Sequence, residues 1–365
     1  MKYLRGVVPA AAVFAAGSAV LAAGVTVAAG ETAVATPRAA SVTSEAVTSE
    51  AVTSEAVISA LAASAAGLAS SSSLLVHDGI CTSPATLRTL AGALSASILA
   101  GLHGRAGQHA VTVADAATGI SCTYHGGARF DSASIVKVII LAALLRWHQE
   151  TGRPLSAWEK RTATLMITQS DNDAATDLWD EVGLARLHHF LDLAKMSQTR
   201  LGSRGEWGLT QATAHDEMLL LTLLTHPNTV LSSSSRAYEL GLMARVIPAQ
   251  RWGTPAGAPH TVTVHVKNGW LPDSTGWHIN SLGAFTRASD AYLIVVLTDD
   301  DPSEVYGIDT IQDVARRVHR DLNAAASAET AQFAANVAPK ASPPAPSSWP
   351  VIPALPVPPA LQAAP

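Results

Sequence analysis

"FDSASIVKVIILAALLRW", Phe130–Trp147, is the stretch from which the rest of the chain is best read. From Ile135 to Leu145 it is almost purely apolar, and Lys137 is its only charge. An unpaired ammonium in such surroundings is costly, so the lysine needs a reason. Six lysines occur in the chain: Lys2, Lys137, Lys160, Lys195, Lys267 and Lys340. Only Lys137 has a serine three residues before it. Residues three apart on a helix share a face. Ser134 falls at the helix start, where free backbone N–H groups and the positive end of the dipole favour developing negative charge. An apolar surround lowers the pKa of a lysine. A neutral lysine can take the proton of a neighbouring serine and make it a nucleophile. The alternative is an N-cap serine beside a snorkelling lysine.

Two further stretches carry polar residues in informative order. In "ITQSDNDAATDLWDEV", Ser170-Asp171-Asn172 separates helical segments. There a hydroxyl could relay a proton and a carboxamide could hold a substrate amide; a turn and helix cap use the same residues. In "VHVKNGW", Lys267-Asn268-Gly269 ends an alternating strand. Gly269 would let a ligand backbone lie close, and Lys267 would face a carboxylate. The Trp270 N–H could be an oxyanion donor opposite that of Ser134. Trp270 and Trp277 flank this strand end, lining a cleft or packing beneath it.

Around these motifs the chain divides by composition. It has 365 residues, 48% hydrophobic and 15% charged, with a net charge of -5. That balance, with no Lys or Arg run, argues against nucleic-acid binding. Residues 1–35 read as a signal peptide: Lys2 and Arg5, an Ala/Val/Gly-rich stretch, then small residues for cleavage. Export to a secreted location follows; an uncleaved anchor is the alternative. Residues 36–74 form a low-complexity linker with VTSEA repeats. Residues 75–324 form the globular domain. Residues 325–365 are an Ala/Pro-rich disordered tail, with cell-wall association as its alternative role. Cys81 and Cys122 are the only cysteines, forming one disulfide or two buried thiols. They make no zinc site, none of the thirteen histidines is spaced as a metal pair, and no cofactor is expected.

Within 75–324 the expected order is a helix over 83–102, a hairpin over 109–127, helices throughout 134–245, three strands and a closing helix. The fold class is thus α/β (α+β): an antiparallel sheet flanked by the N- and C-terminal helices, with an all-helical lobe inserted after its second strand.

The order S-x-x-K, S-D-N, K-x-G resembles that of the serine β-lactamases and penicillin-binding proteins. "ITQSDNDAATDLW", "TRLGS" and "AYLIVVLTDD" are most similar to the class A branch, and the resemblance covers 75–324. It implies a monomeric serine hydrolase acting without metal on a β-lactam or related amide, of the kind that confers antibiotic resistance. It implies that Ser134 is acylated, Lys137 serves as base, and Ser170 passes a proton to the leaving nitrogen. Asn172, Lys267, Asn268, Gly269 and the Trp270 N–H would bind substrate. The alternatives are a D,D-peptidase or esterase on cell-wall peptides, and a non-catalytic penicillin-binding protein.

Three departures stand out. Class A enzymes carry a glutamate in an R-x-E-x-x-L-N loop that activates the hydrolytic water. Here "TRLGSRGEWGLTQATAHDE" is shorter, and Glu206 is the candidate base only by position. Ser170 follows Ser134 by 36 residues, less than in the family. Asn268 stands where the family has Thr or Ser.

Overall fold

The computed structural model describes residues 75–337, except residues 204, 288 and 289, and the side chains of 325–337 are left aside. The signal peptide, the VTSEA repeats and the Pro-rich tail lie outside the described residues.

Seven strands form one antiparallel sheet: β1 (Leu75–Asp78), β2 (Cys81–Pro84), β3 (Gln108–Asp115), β4 (Ile120–Tyr124), β7 (Thr263–Pro272), β8 (Trp277–Arg287) and β9 (Asp290–Asp301). Their spatial order is β1-β2-β4-β3-β9-β8-β7. The helices are α1 (Arg88–Leu102), α2 (Val136–Thr151), α3 (Ala157–Thr168), α4 (Asn172–Ala194), α5 (Ala214–Thr225), α6 (Ser233–Met243) and α7 (Glu304–Val337). All the helices from α2 to α6 fall between β4 and β7, so a helical lobe is inserted as expected, but after the fourth strand of the sheet and not the second.

β9 lies between β3 and β8 and is apolar on both faces. Leu293, Val295 and Leu297 join the core of the helical lobe. Tyr292, Ile294 and Val296 join α1 and α7 through Leu94, Ile98, Ile311 and Val314. Successive side chains point to opposite faces, so a strand covered on both sides has no polar positions to spare. Within α2 every residue from Val136 to Leu144 is at most 1% exposed, Lys137 included. This helix is the axis of the lobe.

Three expectations about element bounds need correction. The segment 83–102 is not one helix: Ser83 and Pro84 end β2, a 3-10 turn over Ala85–Leu87 follows, and α1 begins at Arg88. The hairpin β1–β2 turns at Gly79, whose φ of +63° suits glycine, and β2 is held to β4 by a Cys81–Cys122 disulfide. The stretch 134–245 is not helical throughout: α4 ends at Lys195 in a left-handed conformation. Beyond it, β6 (Gln211–Thr213) pairs with β5 (Arg129–Asp131) in a second small sheet. Finally, α7 passes the expected boundary at 324. Residues 325–337 are rich in Ala, the strongest helix former, and hold no proline.

Candidate active site

Ser134 is the middle residue of a 3-10 turn, Ala133–Ile135, that leads straight into α2. It is partly exposed, while Ala133, Ile135 and Lys137 are buried. No side chain caps this turn or the start of α2, so the N-cap alternative for Ser134 fails. The snorkelling alternative for Lys137 fails too, because the residue is 0% exposed.

Lys137 Nζ is ringed by four oxygens. It lies 3.0 Å from Ser134 Oγ, 2.7 Å from the Ser170 carbonyl, 3.2 Å from Ser170 Oγ and 2.8 Å from Asn172 Oδ1. Ser170 and Asn172 reach it from the junction of α3 and α4. There Asp171 caps α4 by accepting from Ala174 N at 2.8 Å. Ser170 has a φ of +57°, a left-handed backbone rare for serine. Such strain persists where surroundings enforce it, and here both its carbonyl and its hydroxyl accept from Lys137.

Lys267 completes the group from β7. Its Nζ donates to Ser170 Oγ at 2.9 Å and to the Asn268 carbonyl at 2.7 Å. One hydroxyl therefore bridges two lysines. Burial lowers the Lys137 pKa to about 7, with the Asp171 charge opposing. Burial, and then the charge of Lys137, hold Lys267 well below the ordinary lysine value. At neutral pH a neutral Lys137 is thus a populated form. Its lone pair can accept the Ser134 proton.

Gly269 has a different role from the one expected. A Cβ there would come within 2.7 Å of the Ser132 carbonyl, 2.8 Å of Ser134 N and 3.0 Å of Ile135 N. The missing side chain lets β7 lie against the Ser134 turn itself. Asn280 on β8 fixes the other side, donating to the carbonyls of Asp131 (2.8 Å) and Ser132 (3.2 Å).

Strand alternation corrects the expectation for Asn268. Lys267 and Gly269 face the serines, so Asn268 faces away. Its Nδ2 donates to the carbonyls of Gln250 (3.0 Å) and Trp252 (2.9 Å), and the residue is 1% exposed. It anchors the segment beneath β7 and cannot meet a substrate carboxylate. The Trp270 ring also points away, edge-on to Trp252 at 5.8 Å. Only its backbone could serve the site.

Glu206 is exposed and makes no hydrogen bond to Ser134, Lys137 or Asn172. Its neighbour Trp207 holds that side instead, with its ring centre 4.7 Å from Lys137 Nζ. No local signal pointed to this tryptophan, since its contacts are set by loop closure. Nor did any point to His278, which lies 2.9 Å from Asp299, 3.0 Å from Asp273 and 3.8 Å from Asp131, ahead of the Ser134 turn. His188 and His189 are both exposed on α4. Among the described residues no group of His, Cys, Asp and Glu is arranged to hold a metal.

The sequence profile of the Beta-lactamase enzyme family matches residues 149–322. That segment holds Ser170, Asn172 and Lys267, and begins after Ser134 and Lys137. The fold is shared with a β-lactamase from Sphaerobacter thermophilus at a TM-score of 0.54 and 22% identity, covering 64% of this chain and 97% of that one. It is shared with a putative class A β-lactamase from Rhodopseudomonas palustris at 0.56 and 21%, covering 62% and 98%. PBP-A aligns at 0.55 and 20%, covering 63% and 96%. Over residues 149–322 the chain is thus similar to the Beta-lactamase enzyme family, and its fold is that of serine β-lactamases and PBP-A. No curated protein sequence matches it. In this chain Ser134, Lys137, Ser170 and Lys267 are linked by hydrogen bonds, and an indole, not the Glu206 carboxylate, lies beside Lys137.

Proposed function

We propose that this protein is an exported serine hydrolase that opens a β-lactam or related amide through an acyl intermediate on Ser134. The observation that carries the reading is the 3.0 Å approach of Lys137 Nζ to Ser134 Oγ, continued through Ser170 Oγ to Lys267. Lys137 takes the Ser134 proton as Oγ bonds to the carbonyl carbon. The backbone N–H groups of Ser134 and Trp270 would face the developing oxyanion. The carbon–nitrogen bond then breaks as Ser170 gives its proton to the nitrogen and regains one from Lys137. Asn172 would hold the substrate amide, and Lys267 its carboxylate.

Release of the acyl group needs a water and a base. Glu206 is turned to solvent, and Asp171 is spent on its cap. This favours slow deacylation, and with it the second reading: a peptidase or esterase on cell-wall peptides.

Intact-mass spectra of the protein with benzylpenicillin over time test both. A transient adduct with released product supports a β-lactamase; a lasting adduct on the Ser134 peptide supports the second reading. Absence of any adduct with several β-lactams, on folded protein, sinks the acyl-serine mechanism. Ser134→Ala should abolish labelling.

A further inference from the structure

Trp207 stands on a loop with little freedom. Gly202 presses so closely on the Glu206 carbonyl that a Cβ there would overlap it. Gly202 N donates to Thr210 Oγ1 at 3.0 Å, and Thr210 N to the Trp207 carbonyl at 3.1 Å. Ser132 N donates to the Thr210 carbonyl at 2.8 Å, and Ser132 Oγ to the Gly208 carbonyl at 3.4 Å, tying the loop to the Ser134 turn. The indole is fixed as well: its Nε1 donates to Thr176 Oγ1 on α4 at 3.2 Å.

The ring therefore has a set position by Lys137 Nζ, its centre 4.7 Å away. An indole offers carbon surface and one N–H donor, and no proton acceptor. Here that donor is already used. Toward Lys137 the indole thus offers a water carbon surface and no base.

We propose that Trp207 is a positioning residue that keeps water from Lys137, and thereby from an acyl group on Ser134. The effect on hydrolysis rests on the acyl-serine reading; the shielding of Lys137 does not. The contact has two opposed consequences. Excluding water disfavours the ammonium form. The ring face favours it, by about 0.5–2 kcal/mol. Shielding requires exclusion to be the larger, and the sign of the Lys137 shift in Trp207→Ala decides it.

Two measurements on the folded protein decide the matter. The first is adduct lifetime with benzylpenicillin, for wild type, Trp207→Ala, Trp207→Phe and Thr176→Val. The second is an NMR titration of the lysine side-chain nitrogens, Lys137 being assigned by its loss in Lys137→Met. Trp207→Ala should shorten the lifetime roughly tenfold, a barrier change of about 1.4 kcal/mol. It should also raise the Lys137 midpoint by about one unit. Trp207→Phe, which keeps a flat ring, should restore both. Thr176→Val, which frees the indole without removing it, should shift both the same way by less, and serves if Trp207→Ala does not fold. A midpoint that stays or falls overturns the proposal, and so does an unchanged lifetime. If wild type forms no adduct, the acyl-serine reading falls, and the lysine midpoint alone decides whether Trp207 is the shield.

Discussion

Lys137 must be buried enough to lose its proton and held well enough to stay beside Ser134. Its four oxygen partners satisfy the second demand in either protonation state, because Ser134 and Ser170 hydroxyls can donate or accept. The first has a cost in stability. The folded pKa of about 7 lies below the unfolded value of about 10.4. For such a depressed base, stability is present above the unfolded value and lost as pH falls through the folded one. Lys137→Met should therefore raise the melting temperature most at pH 6, with the gain shrinking toward pH 10. The deficit relieved is on the order of 4 kcal/mol at 1.36 kcal/mol per unit. The same substitution should remove the limb near pH 7 from the acylation rate. A rate profile left intact would take Lys137 out of the mechanism, and a gain independent of pH would mean the lysine is not the strained group.

At the scale of elements, the decisive packing is β7 against the 3-10 turn before α2. Strand and turn approach so closely that backbone atoms, and not flexible side chains, would meet an added methyl. Gly269→Ala must push them apart. Overpacking of this kind costs about 1–3 kcal/mol, and the shift falls on Ser134 N itself. Acylation by benzylpenicillin should drop by about 10²-fold, the penalty a displacement near 1 Å can bring, with a melting temperature lowered only modestly. An acylation rate within twofold of wild type would show that β7 does not set the Ser134 geometry. The alternation that puts Lys267 and Gly269 on this face also turns Asn268 to the other, so its amide serves the fold.

Across the whole molecule, the helical lobe holds an unpaired cost away from the described site. Glu217 on α5 and Glu239 on α6 are fully buried, and their carboxyl oxygens have no partner. Burial lifts Glu217 to about 8 and Glu239 well above the usual carboxylate range. A raised acid contributes stability that is whole below the unfolded value near 4.3 and lost as pH climbs through the folded value. Between pH 5 and 7 the unfolded chain ionises these groups and the folded protein does not. The stability advantage of Glu217→Gln over wild type should thus grow by about 1.4 kcal/mol per pH unit in that window. Urea denaturation at pH 5, 6 and 7 measures it; parallel curves would mean that Glu217 is paired or solvated.

The sequence alone determined what depends on local periodicity. The apolar run around Lys137 is a helix because little but apolar side chains can fill the middle of a lobe. "AYLIVVLTDD" is a two-faced central strand for the same reason. Ser134, Lys137 and Ser170 could be picked out because they stand at helix ends, where local signals are strongest; Lys267 lies inside β7, which runs on past the expected strand end to Pro272. The helix assigned to 83–102 failed because β2 is held by a partner strand and a disulfide 41 residues away. Only the tertiary structure decided the rest. Which way Asn268 points follows from the face that Lys267 takes. Which of Glu206 and Trp207 reaches Lys137 follows from how the loop closes on Thr210 and Ser132. Those choices are fixed by contacts between distant segments, and a side chain's identity does not say which partner the folded chain will bring to it.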